Sequence, residues 1–412
     1  MSAARNYALV TAAYWAFTLT DGALRMLVLL HFHELGYRPV ELAFLFLFYE
    51  LFGVVTNLLG GWIASRMGLR TTLLAGLALQ VVALGMLSLL DPRWPQLASV
   101  AYVMASQALS GIAKDLTKMS SKSAIKALLP EDARSSLFRW VAILTGSKNA
   151  LKGAGFFLGA ALLSALGYRP SLWAMAGALL AVLVGSTLSL PGEMGKARSK
   201  TRFSQLFSKS REINILSAAR FFLFGARDLW FVVGVPVFLS AGLGWGFTRV
   251  GSFLALWVIG YGVVQSSAPA ILGRFTGGRA PGGRAAQVLA FLLTAVMACV
   301  PLGLLAGAPE AATVLGGLAA FGVVFAVSSS VHSYLILAYS DGDKVALNVG
   351  FYYMANAGGR LVGTLLSGLL YQLAGLPGCL WGSVVFAAAT GVVSLLLPRT
   401  AIAVPLSAAH SD

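Results

Sequence analysis

Leu137–Leu166 reads LFRWVAILTGSKNALKGAGFFLGAALLSAL, an apolar run broken at its centre by SKNALKG, residues Ser147 to Gly153. As a helix rising about 1.5 Å per residue, the run is long enough to cross about 30 Å of hydrocarbon. Lys148 and Lys152 are four apart, so on that helix their ammonium groups leave one face, one turn apart. Two stacked cations in a hydrocarbon slab are tolerated only where that face looks into water or onto an anion. A membrane helix with such a face needs other helices to enclose it.

The rest of the chain supplies them. Its 412 residues are 58% hydrophobic and 11% charged, with mean hydropathy +0.80, against about 25% charged in an ordinary soluble domain. Stretches of about 20 apolar residues recur about twelve times, and the short alternating segments of a membrane barrel are missing, so helices must satisfy the backbone. The spans read as Tyr7–Phe32, Pro39–Ser65, Thr71–Leu90, Gln96–Lys118, Ser135–Leu166 and Ser171–Leu190. A second set follows at Ile213–Leu239, Val250–Leu272, Ala285–Ala306, Ala311–Ala338, Val345–Leu373 and Gly378–Leu397. The reading is an all-α membrane protein of twelve transmembrane helices: a six-helix half over 1–190, a basic linker over 191–211 and a second six-helix half over 212–412.

A net charge of +15 raises nucleic-acid binding as a class, but no RNA-binding signature or basic and aromatic stripe occurs. The basic residues alternate between loops instead. About 17 fall on the side of both termini and the linker and about four on the other, which places both termini in the cytoplasm. The first apolar run carries Asp21 and Arg25 and reads as a retained span, not a cleaved leader. Cys299 and Cys379 sit in apolar runs and read as small core residues; no metal cluster or cofactor motif accompanies them. Trp15, Trp173, Trp230 and Trp381 read as belt or packing residues.

The halves match at one offset: Asp21 falls on Asp228, Asn149-Ala150 on Asn356-Ala357 and, with one residue of slip, Ile63–Arg66 on Ile271–Arg274. Internal repeats of this kind place a transporter's site near the bilayer midplane.

About nine basic residues lie within spans, each costing roughly 2.5 to 3.5 kcal/mol at mid-span. Together they would exceed the roughly 5 to 15 kcal/mol of a typical folding free energy, so they do not all face lipid. Lys118, Arg139 and Arg220 lie near a cytoplasmic boundary and read as snorkelling. Arg25, Lys148, Lys152, Arg227 and Arg360 lie deeper, with Lys114 intermediate. Only Asp21, Glu50, Asp115 and Asp228 are available to neutralise them. Asp21 and Arg25 form an i, i+4 pair that closes on itself, whereas Arg227 and Asp228 point about 100° apart and look to other helices.

The basic surplus in a wet cleft is an anion trap, and guanidinium forks fit phosphate-like oxyanions. The candidate substrate contacts are Arg25, Lys114, Lys148, Asn149, Lys152, Arg227, Tyr352, Asn356 and Arg360; the candidate proton carriers are Asp21, Asp115 and Asp228. Lys114, Lys118, Lys122 and Lys126 recur every four residues, as an entry ladder or a solvated face. Gln107 lies mid-span among the polar neighbours available to orient a ligand, and His332 and Tyr353 read as interhelical hydrogen-bonding residues. No Ser/His/Asp arrangement, Walker loop or HExxH occurs, which leaves hydrolysis and ATP-driven pumping without support.

Gly61-Trp62-Ile63-Ala64-Ser65-Arg66-Met67-Gly68-Leu69-Arg70 resembles the loop motif of the major facilitator superfamily. The resemblance implies a gating role for Gly61, Arg66, Gly68 and Arg70, and the chain departs from the pattern at Ser65, where the family has Asp. Four stretches are similar to one branch of that superfamily, the ArsJ-type organoarsenical efflux permeases: Ala13–Tyr37, Phe46–Trp62, Ala108–Lys126 and Leu144–Gly159. The similarity implies an inner-membrane, multi-pass monomer that exports 1-arseno-3-phosphoglycerate by alternating access and so confers arsenate resistance. Its functional partner would be glyceraldehyde-3-phosphate dehydrogenase, which makes that compound. The residues themselves indicate only a multivalent oxyanion, so organophosphate uptake or phosphate exchange on the same fold stays open. A multispan membrane enzyme would need a nucleophile or metal cluster at a membrane face. Expelling a trivalent anion from a negative interior gains roughly 7 kcal/mol per 100 mV, enough to drive export without a coupled ion.

Overall fold

The computed structural model describes residues 3–91, 93–128, 134–191, 210–276, 281–340 and 345–398, with the backbone alone described at 60–67, 122–128, 134–146 and a few scattered positions. The linker assignment, both chain ends and the side chains of Gly61, Arg66, Lys122, Lys126 and Arg139 therefore lie outside the described residues.

Among the described residues there are helices and turns and no strand. The N-terminal group comprises α1 (Ala3–Glu34), α2 (Pro39–Leu45), α3 (Leu47–Met67), α4 (Leu69–Ser88), α5 (Gln96–Leu128), α6 (Arg134–Leu166) and α7 (Tyr168–Ser189). The C-terminal group comprises α8 (Arg211–Phe231), α9 (Gly234–Val237), α10 (Phe247–Thr276), α11 (Gly283–Leu305), α12 (Glu310–Ala338) and α13 (Val345–Ser394). α9, set off from α8 by a non-helical residue at Val233 (φ −120°, ψ −49°), runs directly into a π-helical turn at Phe238–Gly242. Glycine takes the positive φ that joins α3 to α4 (Gly68, 80°) and α6 to α7 (Gly167, 80°), a conformation a side chain would strain. α13 is two helices bent at Gly375 (φ 62°), two residues before Pro377.

Nine of the described helical segments are long and apolar enough to cross a membrane. α1 and α5 are also long, at 32 and 33 residues, but fall outside the nine; they carry Asp21 and Arg25, and Lys114, Asp115 and Lys118. The apolar bodies of these helices are half or less buried in most cases, as expected where lipid supplies the remaining surroundings. Trp15, Trp173 and Trp381 face outward, 41%, 58% and 40% exposed, whereas Trp230 is a fully buried core residue. Cys379 is buried as expected, but Cys299 is exposed on α11, which corrects its reading as a core residue.

Small residues let the helices approach. Within the N-terminal group a methyl added to Gly155 or Gly159 of α6 would lie 2.5 Å from the Leu19 carbonyl oxygen or 2.1 Å from that of Ala23 on α1. Within the C-terminal group the same relation holds between Gly359 and Phe221 (2.0 Å) and between Gly363 and Gly225 (2.8 Å), where α13 packs on α8. The two groups thus use one packing device; matching Gly155 and Gly159 to Gly359 and Gly363 makes Lys152, not Asn149, the equivalent of Asn356. Between the groups the close seams are α6 with α10 and α2 and α3 with α13. A Cβ on Gly368 would lie 2.5 Å from both Ala43 Cβ and the Pro39 carbonyl oxygen, and one on Gly251 would lie 2.5 Å from Ala160 Cβ.

Candidate functional site

Residues spaced three or four apart put their side chains on one helix face. On α1 this aligns Tyr14, Thr18, Asp21 and Arg25; on α5 it aligns Lys114 and Lys118; on α6, Lys148, Lys152 and Phe156; on α13, Tyr353, Asn356 and Arg360. These faces, with parts of α3, α8, α10 and α12, enclose a cavity of about 180 Å³ between the two groups. Eight basic and three acidic side chains line it. Glu50, fully buried on α3, adds a fourth carboxylate behind the wall and leaves a formal excess of four positive charges.

Buried ions survive when paired and hydrogen-bonded. Arg25 Nη1 donates to Glu50 Oε1 at 3.1 Å, and Arg360 Nη2 donates to the same oxygen at 2.6 Å from the other helix group. Arg360 Nε also donates to Asp228 Oδ2 at 3.1 Å, and Arg227 Nε to Asp228 Oδ1 at 2.6 Å. The result is an alternating ladder, Arg25, Glu50, Arg360, Asp228, Arg227, that crosses the interface once. A second knot gathers on the N-terminal group: Asp115 accepts from Lys118 at 2.9 Å, Thr56 at 2.8 Å and Asn57 at 3.2 Å, and the Lys118 ammonium lies 5.1 Å from the Tyr353 ring centroid on α13.

Asp21, Arg220, Lys114 and Lys152 stand outside these two networks. Asp21 accepts only from the Tyr49 hydroxyl, at 2.7 and 3.0 Å, and makes no ion pair among the described residues. Arg220 donates to neutral partners, Asn356 Oδ1 at 2.9 Å and the Ser329 carbonyl and hydroxyl at 3.2 and 3.1 Å, with its guanidinium 4.0 Å from the Phe224 ring centroid. Lys114 Nζ lies 4.0 Å from the Tyr49 ring centroid and Lys152 Nζ 5.7 Å from that of Phe156; neither makes an ion pair among the described residues. Lys148 also lines the cavity, and Asn149 donates across the interface to Gln265 Oε1 at 2.9 Å.

Of the nine candidate substrate contacts, eight line this cavity, and so do all three candidate proton carriers. Tyr352 does not: it is fully buried with its ring 5.0 Å from the Arg220 guanidinium, and its neighbour Tyr353 takes the lining position. Two pairings and the direction of two side chains differ from expectation. Asp21 and Arg25 do not close on each other, because adjacent Tyr49 and Glu50 on α3 offer each its own partner. Arg227 bonds its sequence neighbour Asp228, since a long arginine can fold back over the angle that separates them. Lys118 and Arg220 point into the cavity instead of snorkelling. In the loop resembling a gating motif, Arg70 donates to the Thr187 carbonyl at 2.9 Å, tying α4 to α7 within one group, and Gly68 provides the turn.

The residue most underrated from sequence is Glu50, whose signal was that it is the only glutamate deep within an apolar run. Gln265, Tyr261 and Asn57 also line the site, and uncharged polar residues in membrane helices are too common to single out beforehand.

The chain matches no curated protein. Residues 10–331 match the family model described as Major Facilitator Superfamily, most of the chain and both helix groups. Apolar helices, a charged cavity between two similarly packed groups and this match agree: the chain belongs to the major facilitator superfamily and is a multi-pass membrane transporter.

Proposed function

We propose that this transporter exports a small multivalent organic oxyanion by alternating access. The observation that carries the proposal is the cavity's fixed excess of basic over acidic side chains, which a polyvalent anion would balance. In this reading the nine apolar segments, α1, α5 and the bend in α13 amount to twelve spans in two pseudo-symmetric halves, 1–190 and 212–412, joined by a cytoplasmic linker at 191–211. Both termini face the cytoplasm and the membrane is the inner one. Resemblance to the organoarsenical permeases names the cargo as 1-arseno-3-phosphoglycerate, supplied by glyceraldehyde-3-phosphate dehydrogenase.

Lys152, Lys114, Lys148 and Arg220 are the residues we assign to the cargo, with Asn149 and Asn356 orienting it. Among the candidate proton carriers, Asp21 is favoured, because Asp115 and Asp228 are already bound to cations and Asp21 is not. Replacing Asp21 with Asn should abolish any dependence of export on a pH gradient in proteoliposomes while leaving potential-driven export intact.

The test of function is expression in an arsenate-sensitive bacterium with and without extra dehydrogenase. Export predicts resistance that grows with the dehydrogenase; accumulation of labelled sugar phosphate, with no resistance, would point to uptake instead.

A further inference from the structure

The Arg25 and Arg360 guanidiniums come from opposite helix groups and converge on one carboxylate oxygen, Glu50 Oε1. Two features show that the cradle is not saturated by Glu50. Its second oxygen, Oε2, and the Nη2 group of Arg25 have no hydrogen-bond partner among the described residues, although Glu50 is fully buried and Arg25 is 8% exposed. Buried charged groups left half-satisfied are costly, and a ligand that completes their bonding recovers that cost. A tetrahedral oxyanion presents several oxygens to two guanidinium forks where Glu50 presents one.

Resting on the anion-transport reading, we propose that Glu50 is a built-in competitor for the cargo: a tethered carboxylate that occupies the Arg25–Arg360 cradle until an anionic group of the substrate takes it over. The exchange has a mechanical result, because the Glu50–Arg360 bond is the point where the ladder crosses from α3 to α13. Once the cargo holds Arg360, that direct bond between the groups is broken and the two can separate. Asp228 keeps Arg360 aimed throughout, through a bond within the C-terminal group. Glu50 is thus a specificity-determining residue: an anion too weakly charged to displace it is not carried.

The test uses the purified full-length protein, with inorganic phosphate and 3-phosphoglycerate as probes in titration calorimetry, and 3-phosphoglycerate counterflow in proteoliposomes. Removing the competitor raises the fraction of binding-competent sites, so Glu50→Gln should bind 3-phosphoglycerate about ten-fold more tightly while its counterflow falls. A lost binding contact or a merely structural role would weaken affinity or leave it unchanged, so the gain is the diagnostic reading. Glu50→Asp keeps the charge on a shorter tether and should give intermediate tightening, which serves if Glu50→Gln does not fold. If wild type binds the probe and neither variant binds it more tightly, the competitor role is overturned and the anion reading stands. If neither wild type nor variants bind either probe, the anion reading itself falls.

Discussion

The arginines and the lysines of the cavity differ in how they are held. Arg25, Arg227 and Arg360 are fixed in the ladder with Glu50 and Asp228, whereas Lys114 and Lys152 face aromatic rings and make no ion pair among the described residues. The guanidinium fork lets one arginine bridge two carboxylates while no cargo is bound, and the flexible ammonium is open to a partner from the start. The contrast teaches that a count of buried charges overstates the anion site at rest: part of the charge holds the two helix groups together until cargo displaces Glu50, and only part is open to cargo from the start.

The sharpest way to break that contrast is Lys152→Ala. Transport should drop by about 100-fold with membrane expression and thermal stability unchanged, as read by arsenate resistance and immunoblotting of membranes; unchanged resistance would remove Lys152 from the cargo site. Arg360→Ala tests the other side. It strands Glu50 and Asp228 partly unpaired, and thermal unfolding in detergent should show a loss of about 3 kcal/mol. Equal stability of Arg360→Ala and wild type would mean the ladder is not structural. Next in size is Gly368→Leu, which forces side-chain atoms into the α2–α13 seam and should cost about 1 to 3 kcal/mol. Labelling of a cysteine placed at Ala43 should rise as the seam opens. The smallest effect belongs to Tyr352→Phe, whose ring lies 5.0 Å from the Arg220 guanidinium and whose buried hydroxyl makes no hydrogen bond among the described residues: about 1 kcal/mol of stability at most and unchanged counterflow.

Much of this was legible in the sequence. Apolar length identifies nine membrane-length helical segments among the described residues, and the burial cost of Arg25, Lys148, Lys152, Arg227 and Arg360 forces them inward, which is where they lie. Pairing was not legible, because helix geometry fixes which residues share a face within one helix but not which helix stands opposite. Asp21 with Arg25 satisfied every local rule and yet lost to Tyr49 and Glu50, which are delivered by tertiary packing. The same limit explains Tyr352: it and Tyr353 differ by about 100° around α13, and only the position of α8 decides which one meets the cavity. The glycine contacts were also invisible beforehand, since sequence matching at one offset made Asn149 the equivalent of Asn356, while matching the packed glycines makes it Lys152.

The polarity of α1 and α5 bears on how the chain is made. Helices carrying Arg25, or Lys114 and Lys118, gain little by partitioning into lipid alone, and the carboxylate that neutralises Arg25 lies in a helix synthesised afterwards. Arg360 is bonded to a residue 310 positions earlier. Glu50 therefore waits through most of translation for its second cation, and a nascent chain cut before α13 is left with an unfinished interior that quality-control proteases can recognise.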